Sequence, residues 1–304
     1  MHRVELKHIP LRAPERFPGL RRFFPVLVLS LFLAAAGLVW ARLWLPVSWF
    51  PRAVWPEGVL LALATATTLV SLTRQLPGQN VLLASLLILI AAGGVESLNA
   101  VTGLPFGPCV FSESLGRKLF YLLPWPIPFV WLVSLLSSRG VARLVLRPGR
   151  QGRNFGWWLL GLTVLLALLL DFGLQPCASK VEQWWSWKPT RLPTDWYGVP
   201  WVNFLGRAVT TLLTLAFITP PLLNKKPVSP PPDYHPLAVW CSLMVLFVTG
   251  AVTRRLWSAA IFLGLAAVAV AVLAIRGGAM SAPEEGRKRS YPPKRTTGPK
   301  PRNP

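Results

Sequence analysis

An all-α, polytopic integral membrane protein of about eight transmembrane helices is the fold class this sequence predicts, with seven as the lower count. Three observations carry it. Charged residues make up only 14% of the 304 positions, against about a quarter in soluble domains. The mean hydropathy is +0.47, and the apolar residues gather in runs close to the roughly 18 or more that cross a bilayer. The Lys and Arg fall at the chain ends and in short connections between those runs.

Eight runs are expected to span: 24–43, 58–73, 81–98, 119–138, 155–174, 201–223, 236–252 and 257–275. The second, third and seventh are short for a full crossing. The first follows a basic stretch ending at Arg22 and reads as an uncleaved span, not a signal peptide. Residues 1–23 are then a basic arm, 24–276 the membrane domain, and 277–304 a disordered tail rich in Pro, Lys and Arg. Placing both termini in the cytoplasm puts 22 of the 32 basic residues inside, the bias that orients such proteins. Arg254 and Arg255 run against it. A bacterial inner membrane is the expected location. The net charge of +21 is read as attraction to anionic lipid headgroups, not to nucleic acid, because of where the basic residues sit. The oligomeric state is left open.

The expected fourth span contains Pro124, Pro126 and Pro128 within five residues. Each removes a backbone donor and obstructs the preceding turn. Either the helix breaks inside the membrane, where protein or water must satisfy the freed carbonyls, or it begins late. Pro230 to Pro232 read as a turn or linker.

Ionisable groups inside a bilayer are costly and so point to function. Glu96 lies near the end of the third run and Asp171 near the end of the fifth. Both runs cross in the same direction, so both carboxyls fall near one face. The sixth run begins on that face and brings Asn203 and Arg207. The plain alternative is that Glu96 and Asp171 pair with Arg207 to hold helices together.

The stretch from Trp184 to Arg207 joins the fifth and sixth runs on the same face. It holds five Trp, Tyr197, Asn203 and two Gly. A plain connector is short and polar. This one suits a surface that holds a large apolar ligand at the edge of a bilayer, with Trp185, Trp187, Trp196 and Tyr197 as its aromatic lining. An ordinary interfacial Trp belt is the competing reading. Cys109, Cys177 and Cys241 have no metal-ligand spacing, and Cys109 and Cys177 read as buried thiols. No Gly-rich phosphate loop, H-E-x-x-H or G-x-S-x-G occurs. Asp171 stands apart from other Asp, which argues against magnesium–diphosphate chemistry.

Several blocks resemble a known family. E-S-L-N-A-V-T-G-L-P-F-G from Glu96 to Gly107 is similar to the E-x-x-G-x-x-T-G-x-P-F-G signature of the carotenoid biosynthesis membrane family that contains the CruF-type carotenoid 1,2-hydratases. L-G-R-K-L from Leu115 with W-P-I-P-F-V-W, D-F-G-L-Q-P at Asp171, W-S-W at Trp185 and W-Y-G-V-P-W-V-N-F-L-G at Trp196 follow in the family's order. Four positions depart: Gln175 stands where the family has a second Asp, Cys109 and Phe111 stand where the family's usual aromatic residues follow F-G, and Arg207 stands where the family has a Trp.

The resemblance implies addition of water to the terminal double bond of an acyclic carotenoid end, with no cofactor and no metal. Glu96 and Asp171 would be the catalytic acids. Phe106, Trp185, Trp187, Trp196, Tyr197, Asn203 and Arg207 would bind a carotenoid or other polyene. A carboxyl in a low-dielectric site can keep its proton near neutrality, and Trp faces stabilise a carbocation without attacking it. Two other readings remain. One is a non-catalytic carotenoid- or lipid-binding membrane protein, with Gln175 in place of an acid. The other is a different lipid-modifying enzyme on the same scaffold.

Overall fold

A computed structural model of the chain describes residues 18–45, 55–150, 152–189, 195–222 and 231–280. Eight α-helices are long and apolar enough to cross a membrane: α1 (Pro18–Trp44), α2 (Trp55–Thr73), α3 (Gly78–Thr102), α4 (Pro126–Val145), α5 (Phe155–Pro176), α6 (Trp201–Ile218), α7 (His235–Thr253) and α8 (Trp257–Ala279). The chain is a multi-pass integral membrane protein. Residues 1–17 of the expected basic arm and most of the expected tail, with Lys225 and Lys226, lie outside the described residues, and α1 begins at Pro18, within the expected arm. Helix α8 runs to Ala279, past the expected start of the tail, and Gly277 lies against the backbone of Leu144.

Side chains near the helix ends fix the alternation. Arg42 at the end of α1 reaches Glu57 at the start of α2. Ser71 at the end of α2 bonds Asp233 before α7, and Asn80 at the start of α3 bonds the Pro221 carbonyl after α6. Arg254 after α7 reaches Val181 beyond the end of α5. The ends of α1, α3, α5 and α7 therefore share one face, and those of α2, α4, α6 and α8 the other. The chain enters α1 and leaves α8 on the same face.

Helix α4 is the hub. It packs on α2, α3, α5, α7 and α8, and 72% of its span is buried, against 22% for α8. The periphery shows the reason for the low charge. On α3, the buried face carries Val81, Ala84, Ile88, Ala92, Glu96 and Asn99 at helical spacing. The opposite face exposes Leu82, Leu83, Leu86 and Ile90, as a lipid-facing surface requires. Every backbone polar group in a spanning helix is satisfied within it, so the polar side chains are free to converge in the interior.

The expected fourth span is corrected. Lys118–Leu119 (β2) pairs with Leu123–Pro124 (β3) as a small hairpin, and the helix begins only at Pro126. Pro126 and Pro128 occupy its first turn, where the missing N–H groups have no helical partner to lose. The proline cluster marks a late helix start, not a break inside the membrane.

On the face where α3 and α5 end, the two long connections meet. Cys109–Phe111 (β1) pairs antiparallel with Trp185–Trp187 (β4), Cys109 opposite Trp187 and Phe111 opposite Trp185. Asp195–Trp196 (β5) and Val199–Pro200 (β6) form a second tight hairpin, with Tyr197 and Gly198 both at positive φ in its turn. A π-helical turn, Cys177–Val181, ends α5 and leads into β4.

Candidate active site

Two carboxyls from different helices meet one guanidinium. Glu96 on α3 accepts from Arg207 Nη2 at 2.9 Å and from Trp131 Nε1 at 2.8 Å. Asp171 on α5 lies 3.2 Å from Arg207 Nε. It also accepts from Gln175 Nε2 at 2.9 Å and from Asn203 Nδ2 at 3.3 Å. Asn203 in turn accepts from Arg207 Nε at 3.1 Å, and Gln175 accepts from Trp185 Nε1 at 3.1 Å. Asn203 and Arg207 are four residues apart on α6, as are Asp171 and Gln175 on α5, so each pair shares one helix face.

The guanidinium is also held from its faces. Its carbon sits 5.1 Å from the Phe106 ring centre and 5.0 Å from that of Trp131, inside cation–π range. With both carboxyls ionised the cluster has a formal charge of minus one. A single proton brings it to neutrality.

Local sequence explains how these helices approach. A Cβ on Gly206 would lie 2.8 Å from the Pro105 carbonyl oxygen and 2.9 Å from the Phe106 ring. Only Gly lets α6 press against the loop after α3, which sets Arg207 beside Glu96. Asn99 shapes that loop, accepting from the Phe106 N–H at 2.8 Å and donating to the Gly107 carbonyl at 3.1 Å. Gly103, at φ 74°, caps α3 in the left-handed region.

A cavity of about 150 Å³ opens beside the cluster. Asp171, Arg207, Trp131, Trp184 and Trp185 form one part of its wall, and apolar residues of α1, α2, α4, α5 and α7 form most of the rest. Glu57 and Glu182 stand at the end nearer the aqueous face. Each is ion-paired to Arg42, at 2.7 and 2.8 Å. Glu96 is not in the wall. It lies behind Arg207 and Trp131 and reaches the cavity through those two wall residues.

Glu96, Asp171, Asn203, Arg207, Phe106 and Trp185 thus converge. Trp187 does not face the cavity; it packs beside Gly107, with its Nε1 buried and unpartnered. Trp196 and Tyr197 are further removed. Trp196 donates to the Phe172 carbonyl at 3.0 Å and its ring meets Phe172 and Phe262 edge-on. The Tyr197 hydroxyl bonds Ser258 at the start of α8. Trp131 and Trp184 belong to the site without having been singled out, and so do Arg42, Glu57 and Glu182 at the cavity's outer end; Gln175, noted in the sequence only as a departure from the family pattern, bonds Asp171 directly. Glu57 is the first residue before an apolar run, which was the available signal.

Among the described residues, no group of three or more His, Cys, Asp or Glu gathers as metal ligands. All three Cys are free. Burial, and then the charge of Glu96, push the Cys109 thiol up to about 12, so it is no thiolate at neutral pH.

Residues 57–273 match the family described as carotenoid biosynthesis protein. The chain belongs to that family. The matched region holds α3 to α7, nearly all of α2 and most of α8, and with them the whole carboxyl–guanidinium cluster. A bisanhydrobacterioruberin hydratase of Haloarcula japonica is 28% identical to the chain over 113 residues. That alignment covers 37% of this chain and 36% of the relative, so it spans about a third of either protein. No solved structure matches the chain.

Proposed function

We propose that the protein adds water across the terminal 1,2 double bond of an acyclic carotenoid end group, giving a tertiary alcohol. The observation that carries this reading is Asp171, a carboxyl only 7% exposed on the wall of an otherwise apolar cavity. An unreactive cavity for a hydrocarbon has no use for such a group, whose burial is costly. The similarity to a Haloarcula japonica protein named as a hydratase supports the same class of reaction.

The chemistry then follows from the geometry. The polyene end enters the apolar cavity and Asp171 gives its proton to C2. The π electrons of the C1–C2 bond form the new C–H bond and leave a tertiary cation at C1. Trp131 and Trp185 on the wall offer ring faces to it, each contributing about 1–2 kcal/mol in a desolvated site. A water oxygen bonds C1, and its surplus proton returns to the Asp171 carboxylate. The sum is one water added, with no change of oxidation state and no cofactor. Arg207, Asn203 and Gln175 hold the carboxylate formed after proton transfer. Glu96 is a positioning residue, since it reaches the cavity only through Arg207 and Trp131.

The same reading extends to orientation, with both termini in the cytoplasm and the site toward the opposite face of a bacterial inner membrane. Reporter fusions after Gly277 and in the connection following Lys180 test that separately. The deciding experiment for activity is expression in a lycopene-producing host with mass analysis of the pigments. A product heavier by one water and bearing a tertiary hydroxyl is expected. Unchanged lycopene in membranes that contain the protein overturns the assignment.

A further inference from the structure

On the face opposite the carboxyl cluster, the ends of α2, α4 and α6 and the starts of α5 and α7 enclose a second cavity of about 160 Å³. Four guanidiniums line it: Arg139, Arg143, Arg147 and Arg150. Their spacing of four, four and three residues along the end of α4 and the turn after it stacks them on one side. Asp233 is the acidic residue in the wall. We propose that this cavity binds a phosphate-bearing anion, the chemistry shared by anionic phospholipid headgroups and soluble phosphates.

Charge is the first argument. Four guanidiniums against one carboxylate leave a surplus of three positive charges. Among the described residues, none of the four Arg is in an ion pair. Asp233 is already committed. It accepts from Ser71 at 2.7 Å and from Gln75 at 3.2 Å, and its Oδ1 lies 2.6 Å from His235 Nδ1. Burial pushes its carboxyl up, but the bonds from His235 and Ser71 outweigh that and hold it at about 2. It stays ionised with its oxygens occupied, leaving the Arg forks without a carboxylate partner.

The second argument is burial. Basic residues that merely orient a membrane protein extend into water. Arg139 does not: it is 7% exposed and donates to the Leu222 carbonyl at 3.2 Å. Arg147 Nε is buried with no hydrogen-bond partner. Buried donors without acceptors are costly, and guanidinium forks match phosphate oxygens in pairs. The site also lies at the level of the helix ends, where headgroups sit.

The test uses the full chain purified in a neutral detergent. Its melting temperature is read with added phosphatidylglycerol, with phosphatidylcholine, and with inorganic diphosphate. Phosphatidylglycerol is expected to raise it by several degrees in a salt-sensitive way, and phosphatidylcholine to do far less. The double variant Arg143→Gln/Arg147→Gln should lose the rise, while Arg276→Gln, exposed on the same face, should keep it. If diphosphate gives the same rise and competes with the lipid, the site stands and its natural ligand is a soluble phosphate. No rise with either, or a rise that survives in the double variant, overturns the proposal. Should the double variant fail to accumulate, Arg150→Gln at the rim must at least halve the rise. None of these readouts depends on carotenoid conversion.

Discussion

Arg207 and Arg42 do the same thing in two places, and the contrast between them is instructive. Each bridges two carboxyls from different helices, and both clusters border one cavity. Asp171 on α5 and Glu182 just past the π-helical turn are eleven residues apart in the chain. The charge arithmetic is identical. The surroundings are not. Around Arg207, Gln175, Asn203, Trp131 and Trp185 take up the remaining donors and acceptors, and two rings cover the guanidinium faces. Among the described residues no such second layer surrounds Arg42, and neither Glu57 oxygen has a well-aligned hydrogen bond. A fully connected buried network fixes geometry, whereas a partly exposed ion pair without further hydrogen bonds, near an aqueous face, contributes less. The inner cluster has the form of a preorganised acid site. The outer one has the form of a strap joining α1, α2 and the end of α5.

The largest expected difference between the two clusters is in turnover. Asp171→Asn should lower carotenoid conversion by about 100-fold or more, the usual scale for losing a positioned acid, with the protein still accumulating in membranes. Glu57→Gln should change it less than about threefold. Equal losses in both variants, measured by pigment analysis at matched protein levels, would erase the distinction drawn here.

Next in size is stability. Arg207→Gln strands two buried carboxylates and should cost about 3–5 kcal/mol, read as poor accumulation or a lower melting temperature in detergent. Glu96→Gln added to it removes one stranded charge and should restore part of the loss. Absence of any rescue would mean that Arg207 acts by packing on Phe106 and Trp131, not by charge.

The aromatic loop separates what could be read in the sequence from what could not. The convergence of Glu96, Asp171, Asn203 and Arg207 was legible because it needs only the count and direction of the spans. An error in one helix boundary does not move a residue to the other face. The proline cluster was legible as an interruption, but its resolution as a late helix start depended on the β2–β3 hairpin, which two short pairings decide. The loop itself was misleading in its apparent unity. Trp185 and Trp187 are fixed by pairing with Cys109–Phe111, some 75 residues earlier in the chain. Trp196 and Tyr197 belong to a separate hairpin turned by Tyr197 and Gly198. Non-local pairing of that kind leaves no periodic signal. Within β4, Trp185 and Trp187 share one face of the strand, but they sit at different points along it, Trp185 opposite Phe111 and Trp187 opposite Cys109, so closeness in sequence gave no guide to which ring meets the cavity.

That division is itself testable. Trp185→Phe keeps a ring on the wall but loses the bond to Gln175, and should lower conversion about tenfold, near 1.4 kcal/mol. Trp187→Phe, outside the wall, should leave conversion within about twofold, as should Trp196→Phe. A larger effect at Trp187 than at Trp185 would place the polyene nearer the Cys109–Trp187 end of the ribbon.

The smallest effect belongs to the outer strap. Glu182→Gln removes one of the two carboxylates on Arg42, whose partner Glu57 remains at 2.7 Å. The side chains concerned are 21% and 16% exposed, so water screens the pair and can replace the lost acceptor. The expected cost is below about 1 kcal/mol, a shift of a few degrees at most in the melting temperature. The shift should shrink further in high salt, since screening already removes most of what the pair contributes. Asp171→Asn, in a site closed to salt, should show no such salt dependence. If Glu182→Gln instead destabilises the protein strongly and independently of salt, the outer cluster is as preorganised as the inner one, and it becomes a second candidate for chemistry at the far end of the same cavity.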